Sequence, residues 1–320
     1  HFLDFAPTQT HGTSPAFHLI IRLPQGFEAS LADTLDSLGL QIYGDWHLDI
    51  ISPLTAPDGL DEISNVGWHT LDSTLTYKQV ADTVAKASPC DWLIELPPGA
   101  KLDILYLWRL ASEILHSPAK AAYFVDDDCS DADDKRHSPR FKPGINPGHL
   151  VAADLAGPLC VHKDLWISSG GAGQSNGSPW YEQLLRISDL SGWEAVRHIP
   201  DVLITYTNKF PSSPEACQIA LRNALQMRQI DGEIKDITEF SWEVRYAIKN
   251  PPPVTIAILS IGQLEFLSRC LESIIKATRY PDFEILIVSN GLPGDQEMLQ
   301  WLKQTVERPN KPVIRVTQTK

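Results

Sequence analysis

Apolar residues recur along this chain with two distinct periods. In 254–289, Ile256–Leu259 is a continuous apolar run of strand length, and Phe266, Leu267, Cys270, Leu271, Ile274 and Ile275 follow at three- and four-residue steps along one helical face. Ile285–Val288 is a second strand-length run, and Tyr280-Pro281-Asp282 predicts the stop between them, because the residue before a proline is pushed out of the helical region. Strand, helix and strand at this spacing predict a βαβ unit with parallel strands and a right-handed crossover. Residues 17–52 carry the same order of signals. Leu31, Leu35, Asp36 and Ser37 match Leu267, Leu271, Glu272 and Ser273, and after one inserted residue Tyr43, Asp45, Trp46 and Ser52 match Tyr280, Asp282, Phe283 and Ser289. Similarity at so long a fixed offset predicts two related modules.

The intervening chain continues as α/β. Leu71–Ala87 and Leu105–His116 read as helices, Trp92–Leu96 and Ala121–Val125 as strands, and Trp180, Leu184, Leu185 and Ile187 open a further helix behind the polar Gly170–Gly177 loop. Ala216–Met227 closes the domain, placing a core boundary near 207–215, and Pro251-Pro252-Pro253 is a short stiff linker. Two domains are expected: 1–250, long enough to bury a full core, and 251–320, the βαβ front of a second module that continues beyond Lys320. Ligands of open parallel sheets sit beyond the carboxyl ends of the strands, here near Ser260-Ile261-Gly262 and Ser289-Asn290-Gly291, although Asn290-Gly291 reads equally well as a plain turn.

Composition changes this picture in one respect. The net charge of −13 argues against a nucleic-acid channel, and the acidity is local: 1–250 holds 19 basic and 33 acidic residues, 251–320 holds 8 and 7. No apolar stretch approaches the roughly 20 residues of a membrane span. Five cysteines without CxxC pairing read as buried small side chains in a reduced compartment, so a cytoplasmic location is expected. The acidity peaks at Asp126-Asp127-Asp128, continued by Asp131, Asp133 and Asp134. Carboxylates at a strand end suit a divalent cation bridging phosphate oxygens; six of them suit a solvated, Asx-rich loop equally. Phe141–Leu150, with two prolines and two glycines, predicts a rigid surface loop, either a binding rim or a structural elbow.

FLSRCLESIIKATRYPDFEILIVSNG at 266–291, FKPGINPGHL at 141–150, LCVHKDLWISSGG at 159–171 and HIPDVLITY at 198–206, with the acidic YFVDDDCSDADDKR segment among them, resemble the family 2 glycosyltransferases. The likeness is to bacterial tandem-module proteins of O-antigen or capsule polysaccharide assembly. The resemblance implies a GT-A fold, a Rossmann-like mixed sheet flanked by helices, that binds a nucleotide diphosphate sugar. It also implies Mg²⁺ or Mn²⁺ on an Asp-x-Asp element and an acidic general base near the start of a late helix. The donor or acceptor cleft would then involve Pro24, Ser52, Pro97, Gly99, Asn146 and Trp180.

Against that pattern this chain lacks most of the chemistry. Ser52 stands at the position of the uridine-contacting aspartate, Pro97 and Gly99 at the Asp-x-Asp pair, and Trp180 at or beside the base, leaving Glu182 as the nearest carboxylate. Ser289 repeats the loss in the second module. Two classes therefore compete. One is an active metal-dependent inverting transferase with Glu182 as base and Asp126 or Asp128 recruited to the metal. The favoured one is a catalytically impaired module that needs no cofactor. It would bind nucleotide sugar, glycan or other domains of the same longer protein, at the inner membrane's cytoplasmic face through partners.

Overall fold

The computed structural model describes residues 14–60, 63–72, 74–117, 121–173, 178–207, 211, 213–238, 241–261, 263–289, 300–301, 303–305 and 312–318. Gly262, Asn290 and Gly291, and the 174–177 part of the polar loop, lie outside them. The chain divides into units His1–Tyr246 and Ala247–Lys320.

The first unit is built on a mixed sheet of nine strands among the described residues. The predicted first repeat is β1 (Phe17–Arg22), α1 (Glu28–Gly39) and β2 (Trp46–Ser52), with β1 and β2 parallel. After β2 come β3 (Val66–Thr70), α2 (Tyr77–Ala87), β4 (Trp92–Leu96), β5 (Ala100–Leu102) and α3 (Tyr106–His116). They are followed by β6 (Ala122–Ser130), β7 (Arg136–Arg140), a short turn α4 (Pro147–Leu150), β8 (Cys160–His162), α5 (Lys163–Ser168), α6 (Pro179–Ser191) and β9 (Val196–Thr207). The sheet order is β3-β2-β1-β4-β8-β6-β9-β5, with β7 paired to β6. The first four strands are parallel, and β8 enters antiparallel between β4 and β6.

Alternation along β1 shows why this is a buried layer. Phe17, Leu19 and Ile21 join α1 and α3 in one core, whereas Ile20 joins α2, α5 and α6 in the other. A strand with both faces covered reads as a continuous apolar run, which is the pattern seen in the sequence. Helix α7 (Pro214–Met227) and the hairpin β10 (Gly232–Thr238)–β11 (Ser241–Tyr246) pack with Tyr181 and Leu185 of α6 in a third cluster. The apolar pattern of the sequence does not predict the hairpin: Trp242, Val244 and Tyr246 alternate along β11, but β10 offers only Ile234 and Ile237, three residues apart, with Lys235 and Asp236 between them.

The second unit contains β12 (Val254–Ser260), α8 (Leu264–Ala277), β13 (Phe283–Ser289) and β14 (Val313–Gln318) in a parallel sheet, β12-β13-β14. Val254 pairs with Phe283 as Phe17 pairs with Trp46, so both repeats fold to the same βαβ register. Leu267 and Leu271 form the buried stripe of α8, but Phe266 and Cys270 are exposed: the helix covers one sheet face, and a narrower stripe suffices. Among the described residues no helix is long and apolar enough to cross a membrane.

Candidate functional site

The carboxyl edge of the parallel strands is organised by the start of α2. Thr76 Oγ1 accepts from the Gln79 amide, and the Gln79 side chain accepts from the Thr76 amide at 2.8 Å, a reciprocal cap that sets where the helix begins. Tyr77 in the first turn is thereby aimed at β4, where its hydroxyl donates to Glu95 Oε1 at 2.9 Å. Arg22, the last residue of β1, lies with its guanidinium carbon 4.9 Å from the Tyr77 ring centroid. Arg22, Thr76, Tyr77, Lys78 and Gly173 line a cleft of about 360 Å³.

The far wall is tied down by charge. Lys78 Nζ donates to Asp82 Oδ2 at 2.8 Å and to the Ala172 carbonyl at 3.1 Å, and Asp82 Oδ1 accepts from the Ala172 amide at 2.9 Å. Gly171 has φ +77, and a Cβ there would overlap the Asp82 carboxylate, so the loop approaches α2 only as glycine. Arg186 donates to the Gly171 carbonyl at 2.8 Å from α6. Behind Tyr77, burial pushes the Glu95 carboxyl up to about 7; the Tyr77 hydrogen bond, Arg22 and Arg186 oppose this, and Glu182 adds to it. Burial, reinforced by Glu95, also holds the Tyr77 phenol well above its ordinary range, so the phenol keeps its proton and donates.

The residues singled out in the sequence separate in space by role. Trp180 is buried, and its indole N–H donates to the Glu95 carbonyl at 2.9 Å, locking α6 onto β4 rather than presenting a side chain to ligand. That lock carries the half-buried Glu182 into the electrostatic neighbourhood of Glu95, with Arg186 Nη2 3.9 Å away. Ser52 is fully buried; its hydroxyl accepts from the Leu54 amide at 3.1 Å, a turn-forming use. Pro24 is exposed just past β1. Asn146 caps the α4 turn by accepting from the His149 amide at 2.9 Å. The cleft itself is lined by residues the sequence reading did not select. Arg22 and Lys78 occupy unremarkable polar positions, and only the Thr76–Gln79 capping pattern marked the helix start that orients Tyr77.

Pro97 and Gly99 do not fit a divalent cation. Neither has a side-chain oxygen, and the turn they form is packed from below. The Gly99 amide donates to Thr34 Oγ1 at 3.0 Å, its φ is +89, and an added Cβ would sit 3.3 Å from Ser30 Cβ on α1. Gly99→Ala is expected to cost about 1–3 kcal/mol in thermal unfolding through this backbone conformation, whereas Gly144→Ala, with open space around it, is neutral.

The aspartate triplet differs from a solvated loop. Strand β6 runs through it to Ser130, and all three residues are buried. Asp126 Oδ1 accepts from the Lys142 amide at 2.8 Å and from His198 Nε2 at 2.7 Å. Asp128 accepts from Arg136 Nε at 2.6 Å and Thr205 Oγ1 at 2.7 Å. Asp127 takes two bonds of 2.6 Å from Arg140 and lies 2.7 Å from Lys142 Nζ. Mutual repulsion among neighbouring carboxylates is offset here by cations and donors from β7, β9 and the Phe141–Leu150 loop.

No family model matches the chain. It is 25% identical over 297 residues to the O-antigen biosynthesis protein RfbC of Myxococcus xanthus, covering 87% of this chain and 23% of that protein. It is 22% identical over 315 residues to the uncharacterized protein y4gI of Sinorhizobium fredii, covering 91% of this chain and 34% of that one. The chain thus spans about a quarter to a third of the length of these relatives. Among solved structures, S. aureus TarS 1–349 in complex with UDP-GlcNAc is similar at a TM-score of 0.50 and 10% identity, over 66% of each chain, a share the second unit is too short to supply. Sheet order and structural likeness agree on a family 2 glycosyltransferase-like, GT-A fold, and in sequence the chain is similar to a protein of O-antigen biosynthesis.

Proposed function

We propose that the first unit is a glycosyltransferase-fold module of surface polysaccharide assembly that holds a nucleotide diphosphate sugar or glycan without carrying out metal-dependent transfer. The observation that carries this reading is the Pro97–Gly99 turn. Inverting transfer needs a base for the acceptor hydroxyl and a countercharge for the leaving diphosphate. Where the family places its metal carboxylates, this chain has a proline, a glycine and the packed surface of α1. The carboxylates of Asp126 and Asp128 serve instead to bind β7, β9 and the Phe141–Leu150 loop to β6. Arg22 leaves the cleft with a cationic group suited to an anionic sugar phosphate, while Lys78 is held by Asp82 and by the Gly170 and Ala172 carbonyls. A neighbour of the same fold solved with UDP-GlcNAc makes a uridine diphosphate sugar the first ligand to test.

One observation favours transferase activity as a second reading. Glu182 stands half-buried in the first turn of α6, beside the buried Glu95 and 3.9 Å from Arg186 Nη2, where the family resemblance places a general base. Calorimetry with UDP and UDP-sugars, with and without Mn²⁺, separates the two. Weak binding unaffected by manganese is expected. Manganese-dependent binding in the low-micromolar range, or sugar transfer abolished by Glu182→Gln or Asp128→Asn, would overturn the impaired-module reading.

A further inference from the structure

The first βαβ unit carries a polar cluster on a strand face that should be apolar. Side chains alternate along a strand, so His18 and Ile20 share a face of β1, as do His47, Asp49 and Ile51 on β2. The parallel register sets His18 beside His47, and Asp49 beside Gly67 of β3, whose face continues to His69. His18 Nε2 is 2.8 Å from Asp49 Oδ2, His47 Nε2 is 3.7 Å from the same oxygen, and His69 Nε2 is 2.9 Å from Oδ1. The donor atoms of His18, His47 and Asp49 all lie within 4.8 Å of one another. A Cβ at Gly67 would overlap the Asp49 carboxylate, so glycine there clears the space the cluster occupies.

Three features point to a ligand rather than to packing. The His18 ring is 2% exposed and turns its Nε2 into the cluster, 2.8 Å from Asp49 Oδ2, so a donor nitrogen is buried within the apolar run of β1. The second repeat builds the same parallel βαβ register with Thr255, Glu284 and Leu286 in the places of His18, His47 and Asp49, so the fold does not demand the cluster. The spacing is also right. A tetrahedral ion with bonds of about 2.0 Å separates its ligand atoms by about 3.3 Å, between the 2.8 and 3.7 Å that separate Asp49 Oδ2 from the two histidine nitrogens, with all three donors inside 4.8 Å.

We propose that His18, His47 and Asp49 form a binding site for a Zn²⁺-class ion, with His69 positioning Asp49 through its second oxygen. Imidazole and carboxylate donors in a three-ligand set suit a borderline, first-row divalent ion and leave a fourth place for water. Entry is from the side of His47 and His69, which are 34% and 39% exposed. The site lies four residues before Arg22 on β1, about 13 Å along the strand from the cleft, and is independent of sugar binding. Its effect is to cross-link β1, β2 and, through His69, β3.

Chelator-treated protein in a Cys270→Ser background, which removes the exposed thiol, should take up one equivalent of Zn²⁺ by calorimetry and unfold at a higher temperature. Co²⁺ should give the visible absorption of a four-coordinate site. His47→Ala, at a half-exposed position that leaves the fold intact, should weaken Zn²⁺ binding at least 100-fold and abolish both the thermal shift and the Co²⁺ bands. His69→Ala should weaken it by about 10–100-fold, the effect of an outer-shell partner. Absence of stoichiometric Zn²⁺ binding, or binding undiminished in folded His47→Ala protein, would overturn the assignment.

Discussion

Asp127→Ala is expected to destabilise the first unit by about 3–5 kcal/mol, the cost of leaving buried charge uncompensated. Asp127 is fully buried and is the shared counter-ion of Arg140, bound through both carboxylate oxygens at 2.6 Å, and of Lys142 at 2.7 Å. The Lys142 ammonium is 2% exposed and also donates to the carbonyls of Val125 and Ala156 at 2.6 and 2.8 Å. Burial already pulls Lys142 down to about 8, against the raising effect of Asp127. Without that carboxylate the two cations face each other, and Lys142 releases its proton nearer neutral pH. The exposed pair of Lys101 and Asp134 is the internal control, since Asp134→Ala should change stability by no more than about 1 kcal/mol. Urea unfolding of both variants measures the contrast, and equal, small losses would show that the buried triad is not what holds β6 to the Phe141–Leu150 loop.

Glu95→Gln is expected to stabilise the protein above neutral pH and to leave it nearly unchanged in acid. Burial raises the folded carboxyl from 4.5 to about 7, so between these values the folded state binds more protons than the unfolded chain. Stability is therefore fully present below about 4.5 and is lost as pH rises through about 7, by an amount on the order of 3 kcal/mol for a shift of this size. Glutamine keeps an acceptor for the Tyr77 hydroxyl and has no charge to desolvate, so it should flatten the pH dependence. Thermal unfolding of wild type and variant at pH 5 and pH 8 tests the sign directly. A variant no more stable than wild type at pH 8 would mean that Arg22 and Arg186 offset the cost of burying the ionised Glu95. In that case Glu95→Gln should also disturb the cleft.

Much of the scaffold was legible because it is written in short-range periodicity. The repeated run, helical stripe and run at 17–52 and 254–289 became two parallel βαβ units with equivalent register, and Trp92–Leu96 and Tyr106–His116 fell where their apolar patterns placed them. The missing side-chain oxygens at Pro97 and Gly99 were also visible in the sequence alone, since a residue's donor inventory does not depend on its surroundings. The boundary of β6 was not legible. Six aspartates repel one another in any local window, and the groups that neutralise the first three come from as far away as His198 and Thr205.

The same distinction governs both candidate sites. Composition and periodicity determined that this chain is a layered α/β protein with a duplicated βαβ element, because hydrophobic burial acts on patterns a few residues long. Sheet register and helix placement alone decided which polar groups meet: Tyr77 with Glu95, Trp180 with the β4 backbone, and His18, His47 and His69 around Asp49. Charge and hydrogen-bond partners at that distance are chosen by strands lying under 5 Å apart in space, whatever their separation along the chain.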